Sequence, residues 1–282
     1  MSFVNIKEMS FFGLRRSGNH AVQNWVIRQN NSSFVHLNDC KLYGKTKNPY
    51  ENFSKVTISG INPLIYHQGL LKYRRYLQYL LNPEVEYLYG RNRPELNRGN
   101  LRNYHSKSLL LHGYEHYSLD QVIGDWFETQ RDGFVGKSQQ RFDVVILRDP
   151  FNVFASLIHR GEDMDKVDSI SRKWVEHARE YLGLTNHFKN RVCISYNQWF
   201  TDKGYRQQIA KSLDLNFSDA GINTVVNVGH GSSFDGTTYD GIARAMPVLV
   251  RYKKYLEHPA MQRVLAHEEL RDLADKIFGP IV

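Results

Sequence analysis

The chain has two cysteines and no long apolar run. Its glycine-rich loop is not followed by the lysine and the hydroxyl residue that nucleotide hydrolases have after the second glycine. Cys40 and Cys193 are too few for a disulfide framework or a four-thiolate metal site, and we interpret Cys193 as a free, buried thiol. No stretch approaches the roughly 20 apolar residues that a membrane span needs. Residues 1–7 show no signal-peptide pattern, so we expect a cytoplasmic protein. With 282 residues, 41% of them hydrophobic, residues 1–282 are predicted to form a single globular domain.

The loop at residues 13–18 has the glycine spacing of a phosphate-binding loop. In the ATP- and GTP-binding pattern G-x-x-x-x-G-K-S/T, lysine and a hydroxyl residue follow the second glycine, whereas this chain has Asn19 and His20 there. The cations lie inside the loop instead, as Arg15 and Arg16. Apolar patterning predicts a buried strand before the loop and a helix after it, an arrangement that aims a helix N-terminus at an anion. The pattern favours a phosphate-binding loop poorly suited to a magnesium triphosphate. The alternative is an ordinary strand-to-helix turn with two solvated arginines.

The net charge of +8 is concentrated in residues 41–107, which we call the basic segment. It contains twelve lysines and arginines against four acidic residues, and tyrosines lie between the basic residues. Its clearest helical pattern covers residues 69–81. The composition indicates either a solvated helical insertion or a cap that receives an anionic or sugar-like molecule.

Strand and helix patterns alternate through the rest of the chain. After the strand at residues 9–12, further strands are predicted at 33–37, 108–112, 143–147 and 191–196. Helices are predicted at 19–27, 152–159, 167–188, 204–213, 242–256 and 260–278. This order predicts an α/β fold of three layers with a central parallel sheet, plus a mainly helical basic insertion. In such folds ligands bind at the carboxyl ends of the strands, where the loop at 13–18 would lie.

A second motif follows the strand at 143–147. Arg148 ends the strand, Asp149-Pro150 redirects the chain, and the helix that follows carries Ser156. A guanidinium and a hydroxyl at these positions can converge on one anion. The alternative is an arginine that simply pairs with Asp149 or another carboxylate.

Together the two motifs resemble the sulfotransferases that use 3′-phosphoadenosine 5′-phosphosulfate (PAPS). Arg16-Ser17-Gly18-Asn19 is similar to the family's phosphosulfate loop, and the segment Arg148–Ser156 is similar to its 3′-phosphate segment. Tyr196 and Ser232-Ser233-Phe234 resemble the residues that pack on the adenine. The resemblance covers residues 8–30 and 108–278. It implies PAPS as co-substrate, adenosine 3′,5′-bisphosphate as product and no metal. The donor site that it implies consists of Arg15, Arg16, Ser17, Gly18, Asn19, His20, Arg148, Ser156, Tyr196, Ser232, Ser233, Phe234 and Arg244.

The sequence departs from the family's pattern in three respects. Asn19-His20 replaces the usual hydroxyl pair, and Arg16 replaces the usual lysine, so that Arg16 is expected to neutralise charge on the leaving phosphate. The family's Arg-Lys-Gly loop is not recognisable, and Arg244 lies at about its spacing. The resemblance also implies a general base just after a central strand, where His112, Glu115 and His116 are the candidates.

The acceptor is expected to be a hydroxyl or amine of a sugar, glycan or polar metabolite, with no nucleic-acid partner, and the oligomeric state is not readable. Three other functions stay open. One is a kinase or hydrolase with a degenerate loop, although Asp149 is already used in the Arg-Asp-Pro turn. A second is nucleic-acid binding through the basic segment. The third is an inactive member that binds the nucleotide without a working base.

Overall fold

The computed structural model describes residues 4–42, 48–50, 53, 55–59, 84–88, 107–123, 125–162, 164–226 and 231–281. The strands are β1 (Asn5–Gly13), β2 (Phe34–Asn38), β3 (Lys55–Ser59), β4 (Glu84–Leu88), β5 (Lys107–Glu115), β6 (Ser138–Leu147) and β7 (Arg191–Ser195). The α-helices are α1 (Asn19–Arg28), α2 (Leu119–Ile123), α3 (Asp125–Val135), α4 (Pro150–His159), α5 (Val167–Tyr181), α6 (Tyr196–Thr201), α7 (Lys203–Ser212), α8 (Pro259–Leu265) and α9 (Glu268–Phe278). No described helix is both long and apolar enough to cross a membrane.

The described strands form a seven-stranded sheet in the order β4-β3-β2-β5-β1-β6-β7. The five strands from β2 to β7 in this order run parallel and are flanked by helices, which confirms the predicted fold class. In the parallel pair of β2 and β5, Phe34 is opposite Leu109 and Leu37 is opposite His112. Strands β3 and β4 extend the sheet antiparallel, with Phe34 opposite Ser59 and Lys55 opposite Leu88.

The chain divides into two compact units, and the division falls within β1 and β6. Unit 1 comprises Met1–Phe11, Asn30–Glu115 and Asp120–Asp143, and unit 2 comprises Phe12–Gln29, His116–Leu119 and Val144–Val282. Unit 2 has a core in which Trp174 of α5 is completely buried with apolar residues of α4, α8 and α9. Unit 1 contains a buried ionic network centred on Glu8, which accepts hydrogen bonds from Arg131, Arg141 and Ser138.

The residues Asp149 and Pro150 determine where helix α4 begins. Asp149 is its N-cap and accepts from the backbone N–H of Asn152 at 2.8 Å, while Pro150 occupies the first turn. Asp149 also accepts from the side-chain amides of Asn152 and Asn197 at 2.9–3.1 Å. This carboxylate is therefore committed to the turn that leads out of β6, as the sequence predicted.

Three predicted helices end differently in the structure. Helix α5 stops at Tyr181 rather than at 188 because Gly183 takes φ +75° and Leu184 donates back to the carbonyl of Arg179 at 2.9 Å, closing the last turn. The predicted helix at 242–256 is two 3₁₀ helices, Ala243–Ala245 and Arg251–Tyr255, because Pro247 holds the preceding residue in an extended conformation. The predicted helix at 260–278 is divided into α8 and α9 where the side chain of His267 caps the second of them.

The basic segment differs from its predicted helical character where the structure describes it. Its residues 55–59 and 84–88 form β3 and β4, which the sequence analysis did not predict. The predicted helix at 69–81 and most of the segment's basic residues and tyrosines lie outside the described residues.

Candidate active site

The predicted phosphate-binding loop connects β1 to α1 within unit 2. Its backbone reverses direction through two left-handed residues, Arg16 at φ +68° and Gly18 at φ +84°. A Cβ on Gly13 would lie 2.5 Å from Oδ1 of Asn19 and 3.0 Å from the carbonyl of Ile146, so the first glycine allows the loop to pass close to β6. The side-chain amide of Asn19 donates to the carbonyl of Leu14 at 3.0 Å and closes the loop from within. Asn19, which the sequence pattern predicted to bind a ligand, therefore also stabilises the conformation of the loop.

The Ser17 hydroxyl lies at the centre of this loop. The residue is completely buried, and its Oγ has no hydrogen-bond partner among the residues that the structure describes. A buried hydroxyl without a partner is costly in a folded protein, by about 1–3 kcal/mol. The loop thus holds a donor whose partner would be a bound anion.

Tyr196 lies against the second glycine of the loop. It begins α6 rather than ending β7 as predicted, because the Ser195 hydroxyl accepts from Gln198 and starts the helix there. The ring is buried against Trp199 and Phe200, with ring centroids 5.6 and 5.9 Å away. A Cβ on Gly18 would lie 2.1 Å from this ring. The loop and the predicted adenine-binding tyrosine therefore meet directly.

Arg148 connects the loop to the same aromatic ring. Its Nη1 donates to the carbonyl of Arg16 at 3.0 Å, its Nη2 donates to the carbonyl of Val248, and its guanidinium carbon lies 5.1 Å from the centroid of the Tyr196 ring. Its Nε is buried and has no hydrogen-bond partner within the described part of the chain. Its backbone carbonyl accepts from the indole of Trp174 at 2.9 Å, which anchors this strand end in the core.

Three further residues of the predicted donor site, Ser156, Ser233 and Phe234, lie at the last turn of α4. Ser156 hydrogen-bonds to Ser233 through the two hydroxyls. Phe234 stacks on His159, with ring centroids 4.0 Å apart and an interplanar angle of 11°. The guanidinium carbon of Arg251 lies 4.6 Å from the centroid of Phe234. The structure thus brings the helix serine and the Ser-Ser-Phe segment together.

Arg251 was not predicted as a site residue. It is 5% exposed, donates to Ser232 Oγ at 3.1 Å and pairs with Asp235. Burial and the positive charge of Arg148 lower its pKa, so the two guanidiniums are close enough to repel each other. Arg244, which was predicted instead, lies exposed on the 3₁₀ helix Ala243–Ala245.

Asn152 explains how Arg251 reaches this position. Its side-chain amide donates to the carbonyl of Leu249 at 2.9 Å, and its side-chain oxygen accepts from the backbone N–H of Tyr252 at 3.2 Å. Both contacts hold the segment on either side of Arg251 against α4. The sequence feature that positions Arg251 is therefore Asn152, two residues after Arg-Asp-Pro, but its partner Tyr252 lies 100 positions further along the chain.

The three candidate bases have different surroundings. His112 has no exposed surface, its Nε2 lies 3.1 Å from Glu8 and its Nδ1 lies 3.1 Å from the Tyr114 hydroxyl, an arrangement that fits a structural role. Burial lowers the pKa of His112. Glu115 ends β5 and is half-buried.

His116 belongs to unit 2 and contacts the loop. Its backbone N–H donates to the carbonyl of Gly13 at 2.9 Å, and its own carbonyl accepts from Lys173 Nζ at 2.9 Å. Burial, followed by the charges of Lys173 and Arg15, lowers the pKa of His116 to about 4, so its imidazole is neutral at pH 7. Its Nδ1 is buried and has no hydrogen-bond partner among the described residues.

Known proteins resemble this chain in structure rather than in sequence. No protein-family model matches it, and no curated protein matches it. It is similar to the sulfotransferase domain of the olefin synthase from Synechococcus PCC 7002, with 12% identity, coverage of 96% of this chain and 94% of that one, and a TM-score of 0.45. It is also similar to the mouse sulfotransferase SULT7A1 complexed with PAP, with 11% identity, coverage of 95% and 88%, and a TM-score of 0.44. These likenesses concern the fold.

Proposed function

We propose that this protein transfers a sulfuryl group from PAPS to a hydroxyl or amine of a sugar, glycan or polar metabolite. One observation carries the proposal: unit 2 brings the loop at 13–18 together with two buried arginines that each lie over an aromatic ring, Arg148 over Tyr196 and Arg251 over Phe234. Buried guanidiniums that repel each other are stabilised by an anion. A nucleotide with phosphates at two positions supplies anions to both the loop and the arginine pair.

The residues present fit such a nucleotide. Buried polar atoms without a hydrogen-bond partner in the described part of the chain include Ser17 Oγ in the loop and the Nε atoms of Arg148 and Arg251. The loop residues 15–20 would hold the 5′-phosphosulfate, while Arg148, Ser156 and Arg251 would hold the 3′-phosphate. Tyr196 and Phe234 supply the flat apolar surfaces that a purine needs. When bound, PAPS supplies an activated sulfuryl group and a phosphate leaving group.

The chain's own part in the reaction is positioning and charge stabilisation. Transfer of this kind passes through a loose, in-line transition state, by analogy with phosphoryl transfer. Arg16 has its backbone fixed by Arg148 and lies in the loop, where its charge can stabilise the leaving oxygen. The buried Ser17 hydroxyl can donate to the same group.

We assign the general base to His116. Its imidazole is neutral at pH 7, its Nδ1 has no partner among the described residues, and its backbone is fixed against the loop through Gly13. Glu115 remains the second candidate because it precedes His116 at the end of β5. His116→Gln and Glu115→Gln separate the two: the variant of the true base loses transfer activity but keeps its affinity for adenosine 3′,5′-bisphosphate.

The proposal is tested by calorimetric titration with adenosine 3′,5′-bisphosphate, with and without magnesium, followed by labelled-sulfate transfer to a panel of glycans. Arg148→Met should weaken bisphosphate binding at least about thirtyfold, because truncating a buried charged contact costs roughly 2–5 kcal/mol. Arg172→Met removes an exposed arginine of α5 and should leave binding unchanged. Binding of ATP with magnesium in preference to the bisphosphate would favour a kinase or hydrolase instead. Salt-sensitive RNA binding without bisphosphate binding would favour a role for the basic segment.

A further inference from the structure

The ring of Phe234 is covered on both of its faces by groups of the chain itself. The imidazole of His159 is stacked on one face, with ring centroids 4.0 Å apart and an interplanar angle of 11°. The guanidinium carbon of Arg251 lies 4.6 Å from the Phe234 centroid. A parallel ring at van der Waals distance fills the face on which it lies, so the guanidinium lies over the opposite face. Stacking of a purine on Phe234 therefore requires that one of these two groups moves away.

The two covering groups lie at different depths. His159 is exposed at the end of α4, where its Nδ1 lies 2.8 Å from the Tyr255 hydroxyl. Arg251 is buried, and in the proposed donor site it holds the 3′-phosphate. Because that phosphate and the purine belong to one nucleotide, the face of Phe234 that serves the purine is the one under Arg251. Arg251 is thus the group that has to move.

Two contacts hold Arg251 over the ring. Its Nη2 donates to Ser232 Oγ at 3.1 Å and pairs with Asp235, both of which belong to the turn at 232–236. Backbone hydrogen bonds of 2.8 and 3.0 Å between Ser232 and Gly236 close this turn, and Ser232 Oγ donates to Asp235 at 3.1 Å. The Nε of Arg251 is buried and has no hydrogen-bond partner among the described residues. An anion that accepts from both Nε and Nη2 makes a bidentate contact, which is stronger than a contact to Nη2 alone.

We propose that Arg251 gates the purine-binding face of Phe234, and that the carboxylate of Asp235 keeps the gate closed until an anion takes its place on Arg251. This inference rests on the proposed function, because the anion is the 3′-phosphate of the nucleotide. Phosphate binding and purine stacking are then coupled, since the movement that brings the guanidinium to the phosphate also uncovers the ring. The inference assigns a role to Asp235, which the sequence analysis did not select.

Two nucleotides distinguish a gated ring from an open one. Adenosine 3′,5′-bisphosphate carries the anion that moves Arg251, and adenosine 5′-phosphate has the same purine without that anion. In NMR titrations of the full chain with labelled phenylalanine, nuclear Overhauser contacts between the purine protons and the Phe234 ring are expected with the bisphosphate only. Calorimetry in the same buffer measures both affinities.

The variant Asp235→Asn tests what keeps the gate closed. It keeps the shape of the side chain and removes its charge, so the bisphosphate no longer competes with a carboxylate for Arg251. The bisphosphate should bind this variant about fivefold tighter than the wild type, which corresponds to about 1 kcal/mol. Asp272→Asn removes the charge of an exposed aspartate on α9 and should leave the affinity unchanged.

The variant Arg251→Ala tests the gate itself. It should weaken bisphosphate binding at least about tenfold, because a buried charged contact is lost. Adenosine 5′-phosphate should nevertheless bind about threefold tighter and show the Overhauser contact with Phe234, because the cation–π contact no longer has to be broken. His159→Ala uncovers the opposite face of the ring and should give neither effect with adenosine 5′-phosphate.

Any of three results would overturn the inference: a Phe234 contact from adenosine 5′-phosphate in the wild type, unchanged or weaker bisphosphate binding by Asp235→Asn, or weaker binding of both nucleotides by folded Arg251→Ala. If urea unfolding shows that Arg251→Ala does not fold, the wild-type contacts and Asp235→Asn decide the question. These results leave bisphosphate binding by the wild type intact. Failure of the proposed function is distinguishable from them, because it would appear as absent bisphosphate binding, which also overturns the inference.

Discussion

Replacing Gly18 with alanine tests the contact on which the candidate site depends. Gly18 has φ +84°, and a Cβ there would lie 2.1 and 2.2 Å from two carbons of the Tyr196 ring. The ring cannot move aside, because it is 5% exposed and is packed against Trp199, Phe200 and Arg148. The left-handed backbone costs an alanine roughly 1–2 kcal/mol, and overpacking of a buried ring typically costs 1–3 kcal/mol more. We therefore expect Gly18→Ala to lower the free energy of unfolding by about 2–5 kcal/mol.

Gly161 provides the matched control. It also has positive φ, at +66°, but a Cβ there would meet nothing within 4 Å. Gly161→Ala should thus show the backbone cost alone, about 1–2 kcal/mol, and leave bisphosphate binding unchanged. Urea unfolding followed by tryptophan fluorescence measures both variants, and calorimetry measures their bisphosphate affinity, which should fall at least about tenfold for Gly18→Ala.

A double-mutant cycle isolates the steric part. In a Tyr196→Ala background the ring is gone, so Gly18→Ala should cost no more there than Gly161→Ala costs in the wild type. The reasoning is refuted if Gly18→Ala and Gly161→Ala destabilise the wild type equally, or if the cost of Gly18→Ala is the same with and without the Tyr196 ring.

Three further predictions concern buried groups of unit 2. Ser17→Ala should leave the free energy of unfolding unchanged or raise it slightly, since it removes a buried hydroxyl without a partner among the described residues, yet it should weaken bisphosphate binding; a large loss of stability would contradict this. Arg251→Met should weaken bisphosphate binding at least about tenfold, whereas a larger effect of Arg244→Met would support the position expected from sequence. Burial lowers the pKa of His177 to about 4, so the folded state resists protonation and stability should fall between about pH 6.5 and pH 4, by up to about 3 kcal/mol. His177→Gln should flatten that part of the stability profile, and an unchanged slope would exclude His177 as its source.

The central sheet could be predicted because strands buried on both faces are continuous apolar runs. The last six residues of β6 are buried, and the sequence at 143–147 shows this directly. The antiparallel strands β3 and β4 were missed although their sequences, Lys-Val-Thr-Ile-Ser and Glu-Val-Glu-Tyr-Leu, alternate between polar and apolar residues. Strand β3 takes its place in the sheet by pairing with β2, and β4 by pairing with β3, both of which are contacts between segments distant in sequence.

The site was predictable where one local motif carries both position and chemistry. Arg148 and Ser156 are positioned by a strand end and the helix that follows it, so their places in the fold follow from one short segment of sequence. Arg251 was not predictable in this way, because its position depends on Asn152 and not on its own neighbours in sequence. His112 shows the same limit: its residue type suits a base, but the contact of its Nε2 with Glu8, on another strand, could not be predicted from its neighbours in sequence.

The carboxylate of Asp149, next to Arg148, bears on whether this loop suits a magnesium nucleotide. A magnesium nucleotide site needs an acidic side chain with oxygens available to the ion or its waters. Both oxygens of Asp149 already accept hydrogen bonds from Asn152 and Asn197, and the start of α4 depends on these hydrogen bonds. Arg148, which is next to it, and Arg251 have buried Nε donors that have no partner in the described part of the chain. The surroundings of the loop thus supply positive charge and hydrogen-bond donors for an anion. The sequence of the loop agrees with this, because it has two cations, Arg15 and Arg16, and is followed by Asn19-His20 instead of a magnesium-binding hydroxyl.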